Sequence, residues 1–379
     1  MAAQRDIGLY LHIPFCRQRC HFCAFYLEIG RAERIESFLP ALEREIHLYG
    51  QQNLLGGRPL QSIYFGGGTP TVIPARRLAS LLALIHAKFP TTQNIEVTVE
   101  AHPSTVTPDD LRVLTDAGFT RISFGAESMN EAEFVPIGRP GTVQDTSTAM
   151  AAATAAGFTN INLDVMYGLP GQTLESWNDT LRSLLALDPS HISCYALTIE
   201  EGTKLAHDIA RCSVPAPDDS LQVEMDSAAD TILTAGGFER YEISNYAKPG
   251  FVCRHNLLHW TDADYLSLGP SAQSYVNGVR FGNIADLRAY VDQLGKDTLP
   301  VSERTALSPF ERERDALIFG LRLLEGVPRH RIGHHLAQGV HRRQLDRLIA
   351  QGLLEAGNEG VRLTPLGRRY ADTVAEELF

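Results

Sequence analysis

The sequence predicts an α/β protein: a parallel sheet built from strand–helix repeats, followed by a smaller C-terminal α+β unit of winged-helix type. Short apolar runs alternate with stretches of helical periodicity through the first two hundred residues. Each run is followed by a helix-like return, which makes neighbouring strands parallel. Near residue 205 this rhythm breaks, and the chain ends in helical segments around a short turn-and-strand element.

The strand-like runs are 7–13, 62–65, 95–100, 121–125, 160–165 and 191–197, and the helical stretches are 34–49, 74–88, 108–117, 143–156 and 174–187. Thr107-Pro108-Asp109-Asp110 is a helix start, with a capping threonine and proline at the first helical position. Gly118 and Gly157 stand where two helices should stop. Periodicity alone is compatible with an open sheet or a partial barrel. In both, ligands bind at the carboxyl ends of the strands, and the distinctive motifs fall there. A cysteine loop follows the first strand, Gly66-Gly67-Gly68 follows the second, Glu100 ends the third, Glu127 follows the fourth and Asp164 closes the fifth.

Beyond residue 205, Pro215-Ala216-Pro217-Asp218-Asp219 reads as a linker before a helix over 220–235. A polar, aromatic-rich stretch over 241–283 follows, then helical sequence from Pro309 with a turn-and-strand element at 353–364. The expected division is 1–215, 216–300 and 301–379. With 379 residues, 44% apolar and 21% charged, the composition is that of a globular protein. The net charge of −11, with no basic stripe, argues against nucleic acid as a partner. No apolar run approaches the ~20 residues of a membrane span, and the first residues lack a signal-peptide core. The six cysteines are not spaced as a disulfide framework. The expected location is the cytoplasm, free or in peripheral contact with a membrane.

Cys16, Cys20 and Cys23 spell C-x3-C-x2-C, with no fourth cysteine close by. A cubic iron–sulfur cluster usually takes four thiolates, so three leave one iron open to a ligand. The alternative is a structural zinc site that borrows His12 or His21. Zinc ribbons want two C-x2-C pairs and haem attachment wants C-x-x-C-H; neither is present. Gly66-Gly67-Gly68-Thr69-Pro70 lets backbone approach a ligand closely. It has no phosphate-loop lysine, and Thr-Pro forces an extended exit.

The cysteine triplet followed by G-G-G-T-P resembles the radical S-adenosylmethionine (SAM) superfamily. That resemblance implies a six-strand partial (β/α) barrel and a 4Fe–4S cluster on Cys16, Cys20 and Cys23. It implies SAM chelated by the open iron and cleaved by one electron to a 5′-deoxyadenosyl radical, with an electron donor such as flavodoxin or ferredoxin. The strand Arg121-Ile122-Ser123-Phe124-Gly125-Ala126-Glu127-Ser128 is similar to the family's R-I-S-x-G-x-Q-S, with Glu127 where glutamine is usual. By the same resemblance, Tyr10, Gly66, Gly67, Gly68, Thr69, Glu100, Glu127, Arg139, Asp164 and Met166 are the SAM-site residues.

Gly168-Leu169-Pro170-Gly171-Gln172-Thr173, Tyr241-Glu242-Ile243-Ser244-Asn245-Tyr246 and His255-Asn256-Leu257-Leu258-His259-Trp260 resemble the HemN/HemW group, and the likeness runs through the whole chain. This group holds oxygen-independent coproporphyrinogen III oxidases and haem chaperones. The oxidases carry a further cysteine two residues after the triplet, where this chain has Phe25. The resemblance therefore implies the haem-handling branch, with haem or another porphyrin-like molecule bound and passed to apo-haemoproteins. His255 is the first haem-ligand candidate, with His259 and Cys253 as lesser ones. The competing reading of His255 and Trp260 is a buried pair that shapes the floor of the site. Gln273 replaces the group's histidine in Gly269-Pro270-Ser271-Ala272-Gln273-Ser274-Tyr275. The alternative function is a radical enzyme, transferring methyl or methylene groups or oxidising a coproporphyrinogen.

Overall fold

Alternation along the strands sets the architecture. In a computed structural model, which describes residues 6–332 and 340–379, six parallel strands lie side by side in chain order. They are β1 (Ile7–Ile13), β2 (Leu60–Gly67), β3 (Thr91–Ala101), β4 (Arg121–Glu127), β5 (Asn160–Tyr167) and β6 (His191–Ala196). The helices α1 (Ala32–Gln51), α2 (Ala75–Lys88), α3 (Pro108–Ala117), α4 (Val143–Ala155) and α5 (Leu174–Ala186) return the chain between them. Leu9, Leu11, Ile63, Phe65, Val97, Val99, Ile122, Phe124, Leu163 and Ile192 are buried in the shared core with residues of these helices. The alternate positions are polar and face inward: Ser62 and Tyr64, then Glu96, Thr98 and Glu100, Arg121 and Ser123, Asn162 and Asp164, His191 and Ser193. Strands of a parallel sheet packed on both faces read as continuous apolar runs. These read with period two because their inner face lines a polar lumen.

The helix ends follow local chemistry. Thr107 caps α3 in a reciprocal box with Asp110, and Gly118 closes it at φ +102°. Thr142 with Asp145 and Thr173 with Ser176 repeat the box at α4 and α5. Three expectations shift, the first being Glu127, which is the last residue of β4 and does not lie beyond it. Gly66 and Gly67 belong to β2 instead of a following loop, because they pair with His12 and Ile13 of β1. Asp164 lies inside β5, which runs on to Tyr167 beside Ala196.

After a short α6 (Lys204–Ala210), α7 (Asp219–Ala235) begins at the expected linker. The aromatic-rich stretch holds strands and one short helix. β7 (Glu239–Glu242) and β8 (Asn245–Ala247) extend the sheet antiparallel beyond β6. Between them and the next strand stands α8 (Arg254–Trp260). β9 (Asp264–Leu268) pairs parallel to β1, and β10 (Gln273–Val276), β11 (Val279–Asn283) and β12 (Val301–Ala306) continue antiparallel. The whole is one twelve-stranded open sheet in the order β12-β11-β10-β9-β1-β2-β3-β4-β5-β6-β8-β7. Its β1–β6 part curls as a partial barrel.

The C-terminal unit packs α9 (Pro309–Gly320), α10 (Val340–Ala350) and a last helix (Ala371–Leu378) on a three-stranded antiparallel sheet. Leu317, Leu348, Leu354, Val374 and Leu378 form its own core. Of the stretch expected to be helical, 333–339 lies outside the described residues. Arg322 ties this unit to the sheet through Glu242 of β7 at 3.5 Å, and its guanidinium lies 4.6 Å from the ring centre of Trp260 on α8.

Glu45 of α1 locks the sheet extension to the barrel. Its buried carboxylate accepts from the Gly269 N–H (2.8 Å), the Asn283 amide (2.7 Å) and the Tyr290 hydroxyl (2.6 Å). Burial pushes its pKa up to about 7 despite these donors. Removing the acceptor strands three buried donors, so Glu45→Ala should lower stability by about 3 kcal/mol. Urea unfolding followed by circular dichroism measures this; a midpoint within error of the parent protein contradicts it.

Candidate functional site

The cysteine loop leaves β1 and is pinned from three sides. Gly68 N–H donates to Ile13 and Thr69 N–H to Phe15, so the glycine turn lies directly against the loop. A Cβ on Gly68 would stand 2.6 Å from the Phe15 carbonyl oxygen, a contact only glycine allows. His21 N–H bonds to Ile137 O, and Leu205 N–H bonds back to His21 O. Between these two bonds, Phe22 packs on a satellite core of Ile137, Met166, Leu169, Leu197 and Leu205. Met166 therefore joins the apolar support under the loop.

Cys16, Cys20 and Cys23 are all free and half-buried. The Cys16 thiol lies 3.5 Å from the Thr69 hydroxyl. Burial raises Cys20 to about 11, against the opposing pull of the Arg139 guanidinium. A metal must displace such protons on binding. The histidines of the zinc alternative are turned away: His12 Nε2 lies 3.2 Å from Tyr26 O, and His21 Nδ1 lies 3.2 Å from Pro136 O. Among the described residues, no three His, Cys, Asp or Glu side chains gather as a single-ion site. Three thiols on a pinned loop, each free to meet a different iron, fit a cluster better than one ion.

Glu100, Glu127 and Asp164 line the rim and upper lumen beside this loop. Glu100 accepts from the Tyr64 hydroxyl (2.8 Å) and from Gly67 N–H (3.1 Å), which ties it to the glycine turn. Asp164 accepts from Ser123 (3.1 Å) and Asn162 (2.8 Å). Asn162 Oδ1 in turn lies 2.6 Å from His191 Nδ1, and His191 Nε2 lies 2.9 Å from the Tyr241 hydroxyl. Glu127 sits at φ +63°, rare for a residue with a side chain, where the β4–β5 register slips. The bulge aims it at Arg139, 3.4 Å away, and Arg139 also bonds Gly125 O. Loss of water raises Glu100 and Glu127 to about 7, with Arg139 opposing the rise at Glu127. Asp164 is raised for the same cause. Tyr10 stacks on Tyr64 at 6.0 Å.

The three haem candidates lie elsewhere. Cys253, His255 and His259 belong to α8 or its cap, which plugs the barrel at the amino ends of β1–β3. Glu96 caps α8 by accepting from the Arg254 and His255 N–H groups, each at 3.1 Å. His255 is 3% exposed, bonds Ser62 at 2.8 Å and stacks on Tyr64 at 4.9 Å. Its Nε2 makes no hydrogen bond, and burial holds the ring well below its usual pKa, hence neutral. His259 packs edge-on against Tyr265. Gln273 is exposed on β10 and bonds Glu303. Sequence reasoning gave no role to Tyr64, nor to Arg121, Ser123 and Asn162 within the motifs it singled out; the period-two polar residues within the strands were the available signal.

This arrangement defines a radical SAM protein: residues 10–184 match the radical SAM superfamily, and 307–370 match the HemN C-terminal domain. The chain belongs to that superfamily, in its HemW-like branch. It is 34% identical to the "Heme chaperone HemW" of Mycobacterium tuberculosis, over 99% of this chain and 95% of that one. Identity to the Escherichia coli protein of the same name is 33%, with coverage of 98% and 97%. The solved structure of the coproporphyrinogen III oxidase HemN from Escherichia coli superposes with a TM-score of 0.86 at 25% identity, over 99% of this chain and 90% of that one. The family implies a 4Fe–4S cluster and SAM. No helix among the described residues is long and apolar enough to cross a membrane.

Gly138, at φ +60°, presents backbone to the His21 ring, and a Cβ there would meet it at 2.4 Å. Gly138→Ala should shift the loop and lower iron bound per chain after anaerobic reconstitution to less than about half. Gly57→Ala carries similar backbone strain at φ +72° with open space around it, and should leave iron content unchanged.

Proposed function

We propose that this protein holds a 4Fe–4S cluster on Cys16, Cys20 and Cys23, binds SAM across the adjoining rim, and passes haem to apo-haemoproteins. One observation carries the SAM reading: the thiol loop, the glycine turn and three half-buried carboxylates share one rim of the barrel. Near full-length likeness to haem chaperones, together with Phe25 in place of a further cysteine, supports the haem reading.

When bound, the cluster and SAM supply one-electron cleavage of the sulfonium bond. The chain's own residues supply the binding. The exposed peptide edge of Gly66–Thr69 receives the methionine end. Glu127 accepts from the ribose hydroxyls, with Arg139 holding its charge, and Glu100 and Asp164 present acceptors for the N–H groups of the SAM amine. Tyr10 and Met166 close the apolar side.

Each cysteine replaced by alanine should abolish the iron–sulfur absorption of reconstituted protein; a triple variant that keeps its iron sinks the cluster reading. Because Glu100 and Glu127 accept hydrogen bonds more strongly when ionised, and burial lifts both to about 7, SAM affinity should rise with pH through that value. Calorimetry between pH 6 and 9 checks it, and a flat profile contradicts it.

Haemin titration tests the chaperone reading: a Soret shift at stoichiometric haemin is expected, and its absence counts against haem transfer. His255 is sealed in the lumen by Ser62 and Tyr64, which favours the floor role. The Soret response should therefore survive His255→Ala, while its loss would make His255 the haem ligand. The intact set of rim carboxylates favours a second reading, a radical enzyme. Release of 5′-deoxyadenosine on incubation with SAM, dithionite and a porphyrinogen would support it.

A further inference from the structure

A chain of hydrogen bonds reaches Asp164 from residues outside the rim. Asn162 of β5, His191 of β6 and Tyr241 of β7 join it to Cys253, the residue before α8. Asn162 and His191 are 1% and 0% exposed, and their strands hold them side by side in register. Side chains buried so completely are costly unless their polar atoms are paired. Here all are paired, and the pairing has one direction. We propose that His191 is a positioning residue for SAM: its Nδ1–H, with Tyr241 behind it, orients the Asn162 amide that holds Asp164 for the ligand. This inference rests on the SAM reading above.

The direction follows from what each atom can do. An ionised carboxylate only accepts, so the Asn162 atom 2.8 Å from Asp164 Oδ1 is the amide nitrogen. Its second hydrogen goes to the Ser123 hydroxyl at 2.6 Å, and that hydroxyl donates to Asp164 Oδ2 at 3.1 Å. The Asn162 oxygen therefore points the other way, and accepts from the Ser193 hydroxyl (3.2 Å) and from His191 Nδ1 (2.6 Å). Full burial keeps the His191 ring neutral, with one hydrogen to give. That hydrogen must sit on Nδ1, because two bare acceptors so close would repel. Nε2 is then bare and accepts from the Tyr241 hydroxyl at 2.9 Å. With its own hydrogen so used, Tyr241 can only accept from the Cys253 N–H at 3.4 Å. Every donor in the chain points towards Asp164, and bonds aligned in this way strengthen one another. A carboxylate has about four acceptor sites, so Asn162 and Ser123 fix Asp164 without filling it.

The test uses reconstituted full-length protein at pH 7. 15N NMR of histidine-labelled protein, with the His191 signals identified by their loss in His191→Gln, should show a protonated Nδ1 and a bare Nε2. Calorimetry then compares two ligands: SAM, and 5′-methylthioadenosine, which keeps the nucleoside but has no amine. His191→Leu should weaken SAM about tenfold, the effect of one charge-assisted hydrogen bond, and leave 5′-methylthioadenosine unchanged. His191→Gln has an N–H to give and an oxygen that accepts, and should bind SAM within about threefold of the parent. Asn162→Ala should lose as much as His191→Leu, and the double variant no more, because one residue acts through the other. A side chain that only supported the fold would weaken both ligands, and its loss would add to that of Asn162. Where the nucleoside binds the parent too weakly to compare, additivity in the double variant replaces that readout. If His191→Leu does not fold, the tautomer and Asn162→Ala decide. A protonated Nε2, parent-like SAM affinity in folded His191→Leu or Asn162→Ala, equal loss for both ligands, additive losses, or no recovery with glutamine overturns the proposal while the SAM reading stands. A parent protein that binds no SAM overturns the SAM reading itself, and this inference with it.

Discussion

The polar lumen of the β1–β6 barrel is the constraint to which the rest of the structure answers, because each group placed there has lost water and needs a protein partner instead. The carboxylates at the top find theirs in Tyr64, Gly67, Ser123, Asn162 and Arg139. The pairings through Tyr64, Gly67 and Ser123 join neighbouring strands, so these contacts also help fix how the strands lie together. The apolar outer face supplies the bulk of the stabilisation, and the inner face supplies specificity of geometry.

Closing the lumen from below falls to α8. Its N-terminus needs an acceptor and Glu96 provides one, while Gly8 leaves room for it: a Cβ there would stand 2.6 Å from Leu258. His255 then bears on the underside of Tyr64, whose hydroxyl holds Glu100. A motif prominent in the sequence for haem chemistry is, in the fold, continuous with the support of the rim. The opposite rim carries the cysteine loop, which Phe22 anchors on its own apolar cluster.

The strand–helix rhythm was legible because alternation and capping are local: helix α3 begins and ends where Thr107, Pro108 and Gly118 require. The cysteine spacing and glycine turn were equally plain, being carried by single short segments. The polar, aromatic-rich stretch over 241–283 carries no local strand signal, yet it forms strands on both edges of the sheet. Tyr265 and Tyr246 look like loop aromatics until non-local pairing with β1 and β6 makes them strand residues. The bulge that turns Glu127 towards Arg139 was equally invisible, since a register slip exists only between strands.

The sequence by itself determined the class of fold and the cysteine triplet beside a glycine turn, because each depends on residue type within short segments. Only the tertiary structure decided that the inner face is a charged lumen and that His255 lies beneath Tyr64. Those relations join residues tens to hundreds of positions apart, and their energies arise only when packing removes water from all of them together.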